Sequence, residues 1–209
     1  MQIYAIPVSL YCAKLRIVLR HKGLEWEELP PPGGYGSDEY KTHVPSGNLP
    51  ALREGELLIA DSEAIAEYLE ERHPEPSLLP RNPVERARSR ERSRFHDTRL
   101  EPAVRALFPY LPGRAPAPES FLAIQGADIS ARLAQLGRMI GPEAGGALTL
   151  GDCGYPVTFA WLDALAPRMG IPLDWPEPIA AYRARLAALP AVSEELADYT
   201  PKLTAFLDG

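Results

Sequence analysis

Ser9 and Cys12 stand two residues apart in the stretch SLYCAKLR, residues 9–16. An apolar β-type run, Gln2 to Ile6, precedes the stretch and is broken by Pro7. After it, Cys12, Leu15, Val18 and Leu19 recur at helical spacing, and Gly23 falls where a helix C-cap belongs. A strand-to-helix turn with this spacing has the geometry of a Cys-x-x-Cys redox site whose first thiol has become a hydroxyl. A helix N-terminus presents free N–H groups and partial positive charge, so it stabilises a thiolate placed against it. With Ser9 at the exposed position, the chain does not supply that thiolate itself. A hydroxyl can instead donate a hydrogen bond to a thiolate carried in by a small molecule. The plainer reading of Ser9 is an N-cap and nothing more.

Two further motifs could bind rather than react. Residues 47–52, GNLPAL, place Pro50 at the start of a strand after a glycine turn, where its missing N–H does no harm. A cis Leu49–Pro50 bond would turn the Leu49 N–H and C=O outward for an extended peptide to pair with. Only about 5–6% of X–Pro bonds are cis in folded proteins, so the sequence by itself favours trans. In residues 61–69, DSEAIAEYL, Ala64, Ile65, Tyr68 and Leu69 form the apolar face of a helix that Asp61 and Ser62 open. The N–H groups and dipole there make an anion site suited to a ligand carboxylate, or simply a capped helix end.

These motifs must be held by a scaffold, and the 209 residues divide unevenly to provide it. Residues 73–83, HPEPSLLPRNP, contain four prolines, so no helix or central strand runs through them. Before this linker the pattern predicts strand 2–6, helix 12–22, an extended segment 24–29, a Pro/Gly loop 30–36, strands near 49–53 and 56–59, and helix 61–72. That order is a small α/β sandwich over residues 1–76. After the linker, residues 84–209 read as helices near 84–109, 119–140, 152–168, 178–188 and 193–207. Pro/Gly loops at 112–118, 141–146 and 170–178 separate them.

A net charge of −6 argues against nucleic acid as a partner. Two cysteines, Cys12 and Cys153, are too few for a disulfide framework and suit a reducing compartment. No basic region leads an apolar run at the N-terminus and no stretch approaches 18 apolar residues, so cytoplasm is expected and membrane is not. Residues 1–80 hold 7 Lys+Arg against 13 Asp+Glu, whereas residues 81–209 hold 15 of each. The first helix after the linker carries Arg86, Arg88, Arg90, Arg92 and Arg94. Spaced at every second position they do not form one nucleic-acid-binding stripe. They are either a solvated face or the partner of Glu63, Glu67, Glu70 and Glu71 on a second copy of the chain.

Taken in order and spacing, SxYCxKxR, GxLPAL and DSxAIxxYL resemble the cytosolic glutathione transferase superfamily. The serine-type, zeta- or theta-like bacterial branch is most similar, because Ser9 lies eight residues before Ile17. The resemblance covers essentially the whole chain. It implies a thioredoxin-like N-terminal domain, an all-helical C-terminal domain, a homodimer, a detoxifying role and glutathione as co-substrate or cofactor, without a metal. It also implies that Ser9 donates to the glutathione sulfur and that Leu49, before a cis Pro50, pairs with the cysteinyl backbone. Ser62 and Asp61 would hold the γ-glutamyl group, with Asn48 in the same site. Asn48 stands where Lys or Gln is common, and Asp61 where Glu or Gln is usual.

Tyr11 and Cys12 are rivals to Ser9 as the donor, while Tyr4, inside the first strand, reads as packing. Thr149 and Asp152, three apart, read as a structural capping box, and Cys153 as a small buried residue. The electrophile is expected in an apolar cleft between the halves. Its walls would come from Tyr11 and from Phe95, His96, Arg99, Phe108 and Tyr110, with His96 and Arg99 able to recognise an acidic substrate. Two enzymatic outcomes fit: conjugation, or isomerisation, dehalogenation or ether cleavage with glutathione as a true cofactor. A protein of the same fold that binds partners and catalyses little is the third.

Overall fold

The computed structural model describes residues 1–111, 113–140 and 146–209. The loop residues 112 and 141–145, expected from their Pro and Gly content, lie outside that set. A four-stranded sheet, β1 (Gln2–Tyr4), β2 (Glu27–Leu29), β3 (Ala51–Glu54) and β4 (Leu57–Ala60), runs in the order β2-β1-β3-β4. β1 and β2 are parallel, so a crossover must link them, and α1 (Leu10–His21) provides it. The β1–β3 and β3–β4 pairs are antiparallel, with Ile3 opposite Leu52 and Leu52 opposite Ile59. On α1 the residues Leu15, Ile17, Val18 and Leu19 are buried, and Ile65 and Leu69 of α3 (Ser62–Arg72) join the same core.

Sequence pattern anticipated these elements with one omission. The segment after the Pro/Gly loop folds into a short helix, α2 (Asp38–His43), capped by the Ser37 hydroxyl accepting from the Tyr40 N–H. Six residues are too few for an apolar period to show, and the single inward side chain is Tyr40. Tyr40 packs edge-on against Tyr4, so Tyr4 is indeed a core residue.

Every regular element after the linker is helical among the described residues. They are α4 (Pro83–Phe95), α5 (Glu101–Arg105), α6 (Glu119–Met139), α7 (Tyr155–Met169), α8 (Glu177–Ala187) and α9 (Pro190–Asp208). The helix expected over 84–109 is therefore not continuous. A π turn, His96–Leu100, interrupts it, with the Glu101 N–H reaching back five residues to the His96 carbonyl. Pro102 lacks an N–H for the Thr98 carbonyl and its ring crowds that oxygen, so α-helical bonding cannot continue. A 3-10 turn at Phe108–Tyr110, which contains Pro109, ends the segment.

The capping box forms as expected: Thr149 and Asp152 bond reciprocally at the 3-10 turn Leu150–Asp152, just ahead of α7. Asp152 also accepts from the Tyr182 hydroxyl at 2.6 Å, tying α8 to this turn. Two glycines here permit contact that any side chain would prevent. A Cβ at Gly151 would lie 2.3 Å from the Ser89 carbonyl oxygen, and one at Gly154 would lie 2.5 Å from the His96 ring.

Several of the acidic and basic side chains considered above for contact between copies pair within the chain. Arg90 grips Glu67 through two bonds of 2.6 and 2.8 Å. Glu70 is buried, pairs with Lys22 at 2.7 Å, and accepts from the N–H groups of Leu78 and Leu79 in the linker. Glu63 accepts from Lys14 at 2.7 Å. Residues 1–80 keep their excess of acidic side chains, 13 Asp+Glu against 7 Lys+Arg, but Arg90 and Glu67 meet within one chain. The physical reason is the linker, which folds α4 back alongside α3.

Lys14 carries most of that closure. Its ammonium is buried and bonds Glu63, both Asp97 oxygens at 3.1 and 2.8 Å, and the Ser93 hydroxyl. Burial opposes its charge, yet Asp97 and Glu63 outweigh burial and raise its pKa. Removing one partner of a buried pair leaves uncompensated charge, at a cost of about 3–5 kcal/mol. Lys14→Met is expected to lower the unfolding free energy by about that amount in denaturant titration. A loss under about 1 kcal/mol would show that the clamp carries little stability.

Candidate active site

A cleft of about 620 Å³ opens between the sheet-bearing half and the helical half. Its floor on one side is Ser9, Tyr11, Asn48, Leu49, Asp61 and Ser62; facing them are Arg94, Asp97, Arg105, Phe108, Arg114, Trp161 and Phe206. Motifs at residues 9–11, 48–49 and 61–62 therefore converge on one wall.

Ser9 is the N-cap of α1, extended at φ −71° and ψ 127°, and its Oγ accepts from the Cys12 N–H at 3.2 Å. Accepting uses a lone pair, so the hydroxyl proton remains free to be donated into the cleft. Capping and donation are compatible roles. Cys12 is fully buried, and burial pushes its thiol pKa up, so it is a poor nucleophile. Tyr11 lines the cleft but donates its proton to Glu101 at 3.0 Å. Burial and the Glu101 and Asp97 carboxylates raise the phenol pKa strongly. The Arg105 guanidinium lies 5.6 Å over the Tyr11 ring and 5.3 Å over that of Phe108.

Leu49 precedes a cis peptide bond to Pro50. Among the described residues its backbone N–H and C=O make no hydrogen bond, while the Asn48 carbonyl beside it is held by the Tyr40 hydroxyl at 2.9 Å. Asn48 is exposed at the cleft edge. Asp61 caps α3 with one carboxylate oxygen, accepting from the N–H groups of Glu63 and Ala64 at 2.9 and 3.1 Å. Its φ of +86° is the one positive value at a non-glycine residue among those described. Strain of this kind costs on the order of 1–3 kcal/mol and concentrates at ligand sites. Ser62, at the first position of the helix, is buried and lines the cleft.

His96 and Arg99, expected to face the cleft, do not. His96 is buried, with Nδ1 2.8 Å from Asp97 and Nε2 2.7 Å from the Thr158 hydroxyl. Arg99 is exposed and outside the cleft lining. The π turn adds a residue to the helical turn, which shifts the phase and brings Asp97 inward instead. Of the other expected wall residues, Tyr11 and Phe108 line the cleft, whereas Phe95 is in the core and Tyr110 packs on Phe121. The residues that sequence reading missed include Arg94, Arg105, Arg114, Trp161 and Phe206. No local pattern marks them, since each belongs to a helix or loop whose docking decides what it faces.

A thioredoxin-like unit packed against helices thus presents a serine hydroxyl at its first helix and open backbone before a cis proline. Residues 3–77 match the family described as glutathione S-transferase, N-terminal domain. Over 97 residues the chain is 43% identical to the maleylacetoacetate isomerase of Pseudomonas aeruginosa, covering 43% of this chain and 45% of that protein. Over 91 residues it is 38% identical to a stringent starvation protein A homolog of Pasteurella multocida, covering 43% and 42%. The chain thus spans about half the length of the curated relatives it matches. A solved maleyl pyruvate isomerase, a bacterial zeta-class glutathione S-transferase, superposes with a TM-score of 0.76 at 27% identity, over 93% of this chain and 96% of that one. Residues 3–77 thus match that N-terminal domain, and the chain shares the fold of the solved zeta-class glutathione S-transferase.

Asp97 gives this cleft an acid limit. Burial works against its charge, but His96 and Lys14 more than compensate and hold its pKa at about 2 against an ordinary 3.8. A depressed carboxylate stabilises the fold above its unfolded pKa and loses that contribution as pH falls through the folded value. About 2 kcal/mol of stability is therefore expected to disappear between about pH 4 and pH 2. Acid titration of unfolding should show a shallower fall there in Asp97→Asn than in the unaltered protein; identical slopes would refute the assignment.

Proposed function

We propose that the protein is a glutathione transferase that binds glutathione along the Ser9–Leu49–Ser62 wall and directs its thiolate at a hydrophobic electrophile. The observation that carries this reading is the convergence of a donor hydroxyl, an unpartnered backbone pair and a helix N-terminus on one cleft. Residues 1–76 would form the glutathione-binding domain, and residues 84–209 would supply the electrophile site.

Leu49 offers its backbone N–H and C=O to the cysteinyl unit in the manner of an added strand. Ser62 and the N-terminus of α3 receive the γ-glutamyl carboxylate, with Asp61 and Asn48 bordering the same site. Glutathione supplies the nucleophilic sulfur, whose free thiol, with a pKa near 8.5, is only a few per cent ionised at neutral pH. The Ser9 hydroxyl donates a hydrogen bond to that sulfur, and the dipole of α1 adds to the effect, so both favour the anion. Tyr11 does not compete, because its proton is held by Glu101. Phe108 and Trp161, stacked with centroids 4.6 Å apart, offer an apolar surface to the electrophile.

A second reading, a glutathione-dependent isomerase acting on a carboxylate-bearing substrate, is favoured by Arg94, Arg105 and Arg114 around the same cleft. The names of the Pseudomonas aeruginosa relative and of the bacterial zeta-class structure point the same way. In this reading glutathione is regenerated rather than consumed. We further propose a homodimer in the cytoplasm with a detoxifying role, supported by the family alone; no described helix is long and apolar enough to cross a membrane.

Ser9→Ala is the deciding variant. The bound thiol pKa is expected to rise by about a unit or more, and turnover at neutral pH to fall roughly 10–1000-fold. Retention on immobilised glutathione should persist, because the other contacts remain. Full activity in Ser9→Ala with loss in Tyr11→Phe would make Tyr11 the donor. Following glutathione during turnover separates the two readings: stoichiometric consumption with aryl halides or enones indicates conjugation, and none with maleyl compounds indicates isomerisation.

A further inference from the structure

The loop that delivers Ser9 is fastened from the far end of the chain. Its three preceding carbonyls all accept hydrogen bonds from buried groups. Arg16 donates to the Ile6 and Pro7 oxygens at 3.2 and 3.3 Å. Tyr199 of α9 donates to the Val8 oxygen at 2.7 Å. Arg16 is itself aimed by Glu28 and, at 3.5 Å, by Glu195. Glu195 and Tyr199 are four residues apart on α9, hence on one face, and both are completely buried. One turn of the last helix therefore controls all three carbonyls, directly or through Arg16.

The Tyr199 hydroxyl has a second contact, accepting from the Trp161 indole N–H at 2.7 Å. Trp161 lines the cleft, stacks on Phe108, and meets Phe206 edge-on at 6.2 Å. A chain of two hydrogen bonds thus runs from the apolar wall to the peptide group that immediately precedes Ser9. Neither bond is needed to fill the core, since a phenylalanine ring has almost the same volume.

We propose that Tyr199, seconded by Glu195 one turn earlier, is a positioning residue for the Ser9 hydroxyl, linking the Trp161 wall to the thiol-activating group. Tyr199 touches no reactant; it fixes the Val8–Ser9 peptide and so the direction in which the Ser9 proton points. The inference rests on the glutathione transferase reading.

The test is a double-mutant cycle of Tyr199→Phe and Ser9→Ala, read by thiolate absorbance of bound glutathione against pH and by steady-state kinetics. Tyr199→Phe is expected to raise the bound thiol pKa by about half a unit to one unit and to lower kcat about 3–10-fold at neutral pH. KM for glutathione should stay within about twofold, and the kcat loss should vanish in the Ser9→Ala background. An unshifted thiol pKa, or the same loss with and without Ser9, overturns the proposal. If Tyr199→Phe does not fold, Glu195→Gln takes its place and must shift the thiol pKa in the same direction; no shift overturns the proposal. A protein that binds no glutathione at all overturns the transferase reading and this inference together. Ser9-dependent thiolate that is indifferent to Tyr199 and Glu195 overturns this inference alone.

Discussion

A single buried ammonium sets the geometry of the cleft. Lys14 projects from α1 five residues after Ser9, and its partners Glu63 and Asp97 belong to α3 and to the π turn that follows α4. Each of those elements contributes to the cleft beside its ion-pairing residue: Ser9 on α1, Ser62 next to Glu63, and Asp97 itself. A buried charge cannot tolerate the loss of a partner, so the three elements have little freedom to separate. The ion cluster is therefore a ruler as much as a fastening. It holds a hydroxyl donor, a helix N-terminus and the arginine-bearing wall at fixed spacing.

The π turn shows how one backbone constraint redistributes function. Pro102 forbids α-helical bonding at Thr98, and the segment absorbs the defect by widening over His96–Leu100. His96 is thereby driven into the core against Gly154 and Thr158, where both ring nitrogens are engaged. Asp97 turns toward Lys14 and Arg99 toward solvent. Had the helix been regular, residues 96 and 99 would have shared a face. The cationic side chains that line the cleft are instead Arg94, Arg105 and Arg114, on either side of the distortion.

Neither Tyr11 nor Cys12, the titratable side chains beside Ser9 in its loop, is placed to act as a general base. Cys12 is buried with a raised pKa, and Tyr11 is committed to Glu101. What remains is hydrogen-bond donation together with the α1 dipole, which favours an anion without taking its proton. Such a device suits a sulfur whose pKa is already within reach of neutrality. It would not activate an alcohol.

Most of the cleft wall that carries Ser9, Asp61 and Ser62 was legible in the sequence because it is local. Ser9 needs only the turn into α1, and Asp61 and Ser62 only the start of α3, so residue type and spacing sufficed; the cis Leu49–Pro50 bond came from the resemblance, since the sequence by itself favours trans. The β-α-β and hairpin order, the proline-rich linker and the helical second half were legible for the same reason: period and punctuation are local properties. Tertiary structure alone decided the opposite wall. Which side of a helix faces a cleft depends on docking partners and on phase, and Pro102 altered the phase. Trp161 and Phe206 reach the cleft through packing, as does Tyr199's hold on Val8. The sequence left the arginine-rich helix as a solvated face or as the partner of acidic side chains on a second copy, and only the fold of the linker determined that Arg90 meets Glu67 in its own chain.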